Sequence, residues 1–200
     1  MDLPEHWATA EDFATLLQYF WHCDFPIDAA AVGAKRADWT IHIGVVIRQI
    51  ADLMGFVARF ESGGRKDAVL RSGDGDEITV EWEWHAKGVC ASEVRKLRSH
   101  KPRRKDGAPI RFAVLVTYCE PRDVTELRQT IEAAWVGVDR PLLLILVEAQ
   151  KSKTFSTRRE FALLRMSLFN GTESKELRSV PAFPWKIGAS RWEWQRASSA

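Results

Sequence analysis

Long apolar runs, cysteine and targeting signals are what this sequence has least of. No stretch approaches the roughly 20 apolar residues that cross a bilayer. The longest, Pro141-Leu142-Leu143-Leu144-Ile145-Leu146-Val147, is bounded by charge and has the length of one buried strand. No membrane association is therefore expected. The N-terminus, Met1-Asp2-Leu3-Pro4-Glu5-His6, is acidic and lacks the basic-then-apolar layout of a secretion signal, so a cytoplasmic protein is the default expectation. The three cysteines, Cys23, Cys90 and Cys119, are odd in number and have no Cys-x-x-Cys spacing, which excludes a disulfide framework and a zinc knuckle. A Cys90 nucleophile working with His85 or His100 is outweighed by the reading of Cys90 as a half-buried thiol near a strand end.

What is present is the material of one soluble domain. Over 200 residues, 46% hydrophobic and 28% charged composition supplies both a core and a solvated surface. The expected layout is a single domain over 1–200, with a core at about 40–150. An N-terminal helical extension (1–39) precedes it, and a C-terminal helix plus a Trp-rich tail (151–200) follows. The net charge of +2 says little, but the basic residues are unevenly placed. Arg95, Lys96, Arg98, Lys101, Arg103, Arg104 and Lys105 form a dense run almost free of acid. Such a run attracts phosphate backbones through counterion release, and the ordinary alternative is a solvated helix end and loop.

Apolar spacing predicts a helix over Ala10–Trp21 and a second from Thr40, as its cap, to about Met54, with Ile43, Val46, Ile47, Ile50 and Leu53 buried. Gly55 ends it. Phe56–Glu61 alternates as a strand, Ser62-Gly63-Gly64 turns the chain, and the strands of Asp67 and Glu81 complete an antiparallel meander. A helix at about Ser92–Ser99 and a polar loop, Lys101–Pro109, follow. Arg111–Tyr118 and Leu142–Glu148 are continuous apolar strands around a helix at Pro121–Trp135, the pattern of a parallel βαβ unit buried on both faces. Leu142–Glu148 is expected to be the last core strand, Phe155–Phe169 a helix, and the tail a short strand or packed arm.

Candidate chemistry lies in the meander. Glu81, Glu83 and His85 share one strand face, while Val80, Trp82 and Trp84 share the other. Arg71–Glu77 reads as the turn, and a hairpin folded about Asp74 places Asp67 opposite Glu81. Three carboxylates so close repel one another and call for a cation or a proton. The alternative is a half-exposed hairpin with its tryptophans inward and its glutamates in water. Against it, like charges directly opposite destabilise a sheet. Glu61, near the first turn, is a weaker candidate for the same patch.

With this element order, an aspartate on the second strand and an acid-x-acid pair on the third, the stretch from about Thr40 to Glu148 resembles the PD-(D/E)XK, or restriction-endonuclease-like, nuclease superfamily. The resemblance implies an α/β fold in which a mixed sheet, an antiparallel meander joined to a parallel strand-helix-strand unit, is flanked by helices. It implies a metal-dependent enzyme hydrolysing phosphodiester bonds in DNA, using Mg²⁺ or Mn²⁺. Asp67 stands at the first metal-binding aspartate and Glu81 at the acid of the second motif. Glu83 stands where the family usually has lysine, as a further ligand or a base. His85, Lys87 and Lys151 are the candidate substitutes for that lysine, and Asp52, late on the second helix, stands where the family sometimes places an additional acid near the site. Nucleic acid, DNA in view of the resemblance, is the expected partner, and the reading allows a homodimer. The alternative is a catalytically inactive module, binding nucleic acid or protein, that keeps the fold.

Overall fold

A capping box opens the first helix. Thr9 Oγ1 accepts the Asp12 amide at 3.1 Å, while Asp12 Oδ2 accepts the Thr9 amide at 3.1 Å, so two amides without helical partners are satisfied at once. The computed structural model describes residues 9–23, 35–62, 66–84, 88–99, 104–151, 159–182, 185–187 and 194–196. Helix α1 (Ala10–Cys23) buries Phe13, Leu17 and Trp21, each four residues from the last. Helix α2 (Arg36–Leu53) starts earlier than expected. Lys35 and Asp38 close its first turn, with the Lys35 amide 3.2 Å from Asp38 Oδ2. Thr40 lies inside the helix and returns its hydroxyl to the Arg36 carbonyl. Ile43, Val46, Ile47 and Ile50 form the buried stripe, but Leu53 is exposed, and Met54 continues the stripe in its place. Gly55, at φ 76°, then turns the chain out of α2, a conformation open to glycine at little cost.

The meander forms as β1 (Val57–Ser62), β2 (Lys66–Ser72) and β3 (Gly75–Glu83). Pairings Ala68↔Val80, Val69↔Thr79 and Leu70↔Ile78 are each equidistant from Asp74, the register that symmetry predicted. The turn is tighter than Arg71–Glu77, because a bulge after Leu70 lets Arg71 pair with Asp76, with Arg71 Nε 2.7 Å from its carboxylate.

Strand β4 (Phe112–Cys119) lies parallel to β3. A turn at Pro121–Asp123 and helix α4 (Val124–Trp135) return the chain to β5 (Leu142–Lys151), parallel to β4. The apolar β4 and β5 are buried on both faces, as a parallel unit requires.

Two expectations fail beyond β5. The segment read as a helix over Phe155–Phe169 is instead strand β6 (Arg159–Phe169) where it is described, antiparallel to β5. Leu142–Glu148 is not the last core strand either, since β7 (Ser174–Pro181) adds to β6. The free edge of β5 would otherwise hold a row of buried, unpaired amides and carbonyls, and that cost outweighs a helix-like apolar spacing. Among the described residues the strands form one mixed seven-stranded sheet in sequential order β1 to β7. In the tail, β8 (Trp185–Ile187) and β9 (Trp194–Arg196) pair antiparallel.

The sheet separates two cores. On one face α1 and α2 pack Trp21, Trp39, Ile47 and Ile50 against Ile78, Val80, Val114 and Ile145. On the other, α4 and the chain after β3 pack Val94, Leu97, Ile131 and Trp135 against Leu115 and Leu144. Strand alternation sends Ile78 and Val80 to the first face, so Thr79 and Glu81 point to the second.

Candidate metal centre

Three elements meet at the end of the β2–β3 ladder. At Asp67 the backbone pairing stops, and the carboxylate itself accepts the Trp82 amide at 2.7 Å. One strand over, Glu81 is fully buried. A wide π-type turn, Cys90–Val94, leads into the short helix α3 (Arg95–Ser99). Buried Val94 and Leu97 anchor this segment on the sheet, which brings Glu93 and Lys96, one turn apart, over β3.

The carboxylates of Asp67, Glu81 and Glu93 each offer an oxygen, and these lie within 4.8 Å of one another. Two ammonium groups join them. Lys96 Nζ is 2.6 Å from Glu93 Oε2 and 3.5 Å from Glu81 Oε2. Lys66 is buried, with its Nζ donating to the Lys96 backbone carbonyl and lying 3.8 Å from Glu81 Oε1. Glu81 thus sits between two cations, yet its Oε1 has no hydrogen-bond partner among the described residues.

Burial sets the protonation of this group. It pushes the Glu81 carboxyl up to about 9, helped by a hydrogen bond with Glu93 and the charge of Asp67. Burial also raises Asp67, only partly offset by the Trp82 amide. Glu93 moves the other way: burial would raise it, but hydrogen bonds with Lys96, Glu81 and Ser92 hold it below its ordinary value. Lys66 is lowered by burial despite the nearby Glu81.

Hard carboxylate oxygens are the donors that Mg²⁺ and Mn²⁺ take. Two oxygens on one Mg²⁺, each about 2.1 Å from it, are at most about 4.2 Å apart. The observed spread is close enough for small side-chain adjustments to close it. The three residues can therefore hold a divalent ion, with the Glu81 oxygen that accepts no hydrogen bond the natural first ligand.

The predicted residues are divided by the fold. Asp67 and Glu81 come together as the hairpin register requires. Glu83, two residues further along β3, is half-buried and its carboxylate is not one of the three that converge. Part of the basic run makes internal contacts: Lys96 enters the acidic cluster and Arg98, though exposed, donates to the Ala134 carbonyl at the end of α4. Arg104 Nε lies 3.9 Å from both Glu77 and Asp106. Arg95 and Lys105 are exposed. Asp52 and Glu61 are exposed as well, and neither belongs to the cluster. Lys101, Arg103, His85, Lys87 and His100 lie outside the described residues, as does the side chain of Lys151. Glu93, Lys66 and the inward role of Lys96 were not anticipated. The available signals were Glu93-x-x-Lys96 at helical spacing and Lys66 beside Asp67.

The cysteines described here do not contribute to the site. Cys23 is exposed, while Cys119 is buried near Glu148 and burial pushes its thiol up to about 12. In an alkylation time course at neutral pH followed by peptide mass spectrometry, Cys23 is expected to react promptly and Cys119 only after unfolding. Prompt modification of Cys119 in the folded protein would contradict that placement.

The sequence matches no protein-family model and no curated protein.

Proposed function

We propose that this protein is a divalent-metal-dependent phosphodiesterase acting on DNA, as the resemblance to restriction-endonuclease-like nucleases implies. The observation that carries this reading is the convergence of Asp67, Glu81 and Glu93 around a buried carboxylate oxygen that accepts no hydrogen bond, with two lysines alongside. The mixed sheet, meander followed by parallel unit, supports it at the level of fold.

In this reading Asp67, Glu81 and Glu93 hold Mg²⁺ or Mn²⁺. The ion, when bound, supplies a water of lowered pKa and neutralises charge developing on the phosphoryl oxygens. Lys96 takes the place of the motif lysine, its stem long enough to turn the ammonium toward a phosphate at the cluster's rim. Glu83, on the same face of β3 as Glu81, is the candidate base for the attacking water. Arg95 and Lys105 give the nucleic-acid backbone exposed cations to contact.

The test is plasmid nicking with Mg²⁺ or Mn²⁺. Cleavage is expected to stop with EDTA and to fall at least about a hundredfold in Asp67→Ala and Glu81→Ala, the scale of losing an electrostatic element of a site. Cleavage that survives EDTA or both substitutions sinks the proposal. Salt-sensitive DNA association with no turnover under any divalent ion would select the inactive binding module instead, which the glutamate at position 83 favours.

A further inference from the structure

The two lysines at the carboxylate cluster are held in different ways. Lys66 is 1% exposed, lies beneath the cluster and is tied to the Lys96 carbonyl. Lys96 has a side chain 38% exposed, reaches the cluster from its rim and makes its 2.6 Å contact with Glu93 through a flexible stem. One ammonium is built into the protein, and the other can leave.

We propose that Lys96 is a displaceable internal cation: its ammonium occupies the place a divalent ion takes, so that metal binding expels Lys96 from the carboxylates and frees it for a substrate phosphate. This rests on the reading of the cluster as a metal centre.

Charge supports the exchange. As metal ligands Asp67, Glu81 and Glu93 are all deprotonated and carry three negative charges against two positive ones from Lys66 and Lys96. A divalent ion added to all five groups leaves an excess positive charge in a poorly solvated site. The same ion with Lys96 withdrawn leaves the site neutral. Geometry argues likewise, because an ammonium 2.6 Å from Glu93 and 3.5 Å from Glu81 sits where an ion shared by those carboxylates would have to be. Lys66 cannot yield in the same way, being buried and bonded to backbone. A phosphate arriving at the rim would accept the released ammonium, so metal and phosphate strengthen each other's binding.

Lysine and metal then compete, which gives the test a sign that a structural role does not share. Mn²⁺ binding is measured by calorimetry on the full chain in chelator-treated buffer, for the wild type, Lys96→Met and Lys96→Gln. Removing the competing charge is expected to tighten Mn²⁺ binding by about tenfold or more. Unchanged or weaker binding in a folded variant overturns the proposal. If Mn²⁺ fails to bind even the wild type at millimolar concentration, the metal-centre reading itself falls. Should both variants misfold, the wild type still decides. The Lys96 side-chain ammonium resonance, sheltered by the carboxylates, is expected to disappear on adding Mg²⁺, and its persistence at saturating Mg²⁺ refutes the exchange.

Discussion

Replacing Glu81 by glutamine is expected to raise the stability of the protein at mildly alkaline pH while abolishing its response to divalent metal. The carboxyl ordinarily titrates at 4.5 and is pushed up to about 9 in the fold, chiefly by burial. Between those values the folded chain keeps a proton that the unfolded chain has shed. The stability tied to this proton is complete below about 4.5 and is lost as pH climbs toward about 9, at up to about 1.4 kcal/mol per pH unit. Glutamine has nearly the same shape and no charge to lose. Thermal midpoints of the wild type, measured in chelator from pH 5 to about 8.5, should fall more steeply than those of Glu81→Gln. Added Mg²⁺ should restore the wild type at the upper end and leave the variant unmoved. Parallel curves for the two proteins would show that Glu81 carries no such proton.

Glu77→Ala is expected to be the more damaging change to the fold. Glu77 is 1% exposed, accepts the Ser72 hydroxyl at 2.6 Å and Arg111 Nε at 2.9 Å, and lies 3.9 Å from Arg104 Nε. These contacts hold the start of the Arg104–Ala108 loop against the β2–β3 turn, where the Lys105 amide also donates to the Asp74 carbonyl. Removing the carboxylate strands two arginines and a hydroxyl around an empty space. The loss should be about 3 kcal/mol, at the low end for breaking a buried pair, because Arg111 and Arg104 are 27% and 25% exposed and water can reach them. Urea unfolding measures it, with Glu77→Gln recovering part of the loss. A change under about 1 kcal/mol would mean that the pair behaves as a surface one.

Asp67 and Glu81 were legible in the sequence because strand alternation and hairpin symmetry are local rules. A tighter turn did not disturb them, since the bulge after Leu70 falls outside the Ala68↔Val80 register. The parallel unit was legible for a similar reason: Phe112–Cys119 and Leu142–Val147 are apolar on both faces, which suits a strand buried between layers. Arg159–Phe169 was not, because its apolar residues fit a helix about as well as a strand. What decided the matter was the unpaired edge of β5, a property of the assembled sheet.

Glu93 and Lys96 were missed because nothing local reveals which way so short a helix faces. Val94 and Leu97 settle its orientation only once α4 and β4 exist to bury them. The same packing ties Lys96 to the carboxylates and Arg98 to the end of α4, so a run that looks like one cationic surface in the sequence is divided among separate tasks. Lys66 was overlooked beside Asp67, although a lysine in a strand flanked by apolar residues has to find an acid if it is buried.

Anomalous diffraction from crystals soaked in Mn²⁺ decides whether Asp67, Glu81 and Glu93 share one ion. An anomalous peak is expected within about 2.3 Å of a carboxylate oxygen from each of the three residues, with the Lys96 ammonium moved away from Glu93. A protein saturated with Mn²⁺ that shows no peak there, or a peak touching neither Asp67 nor Glu81, would contradict it.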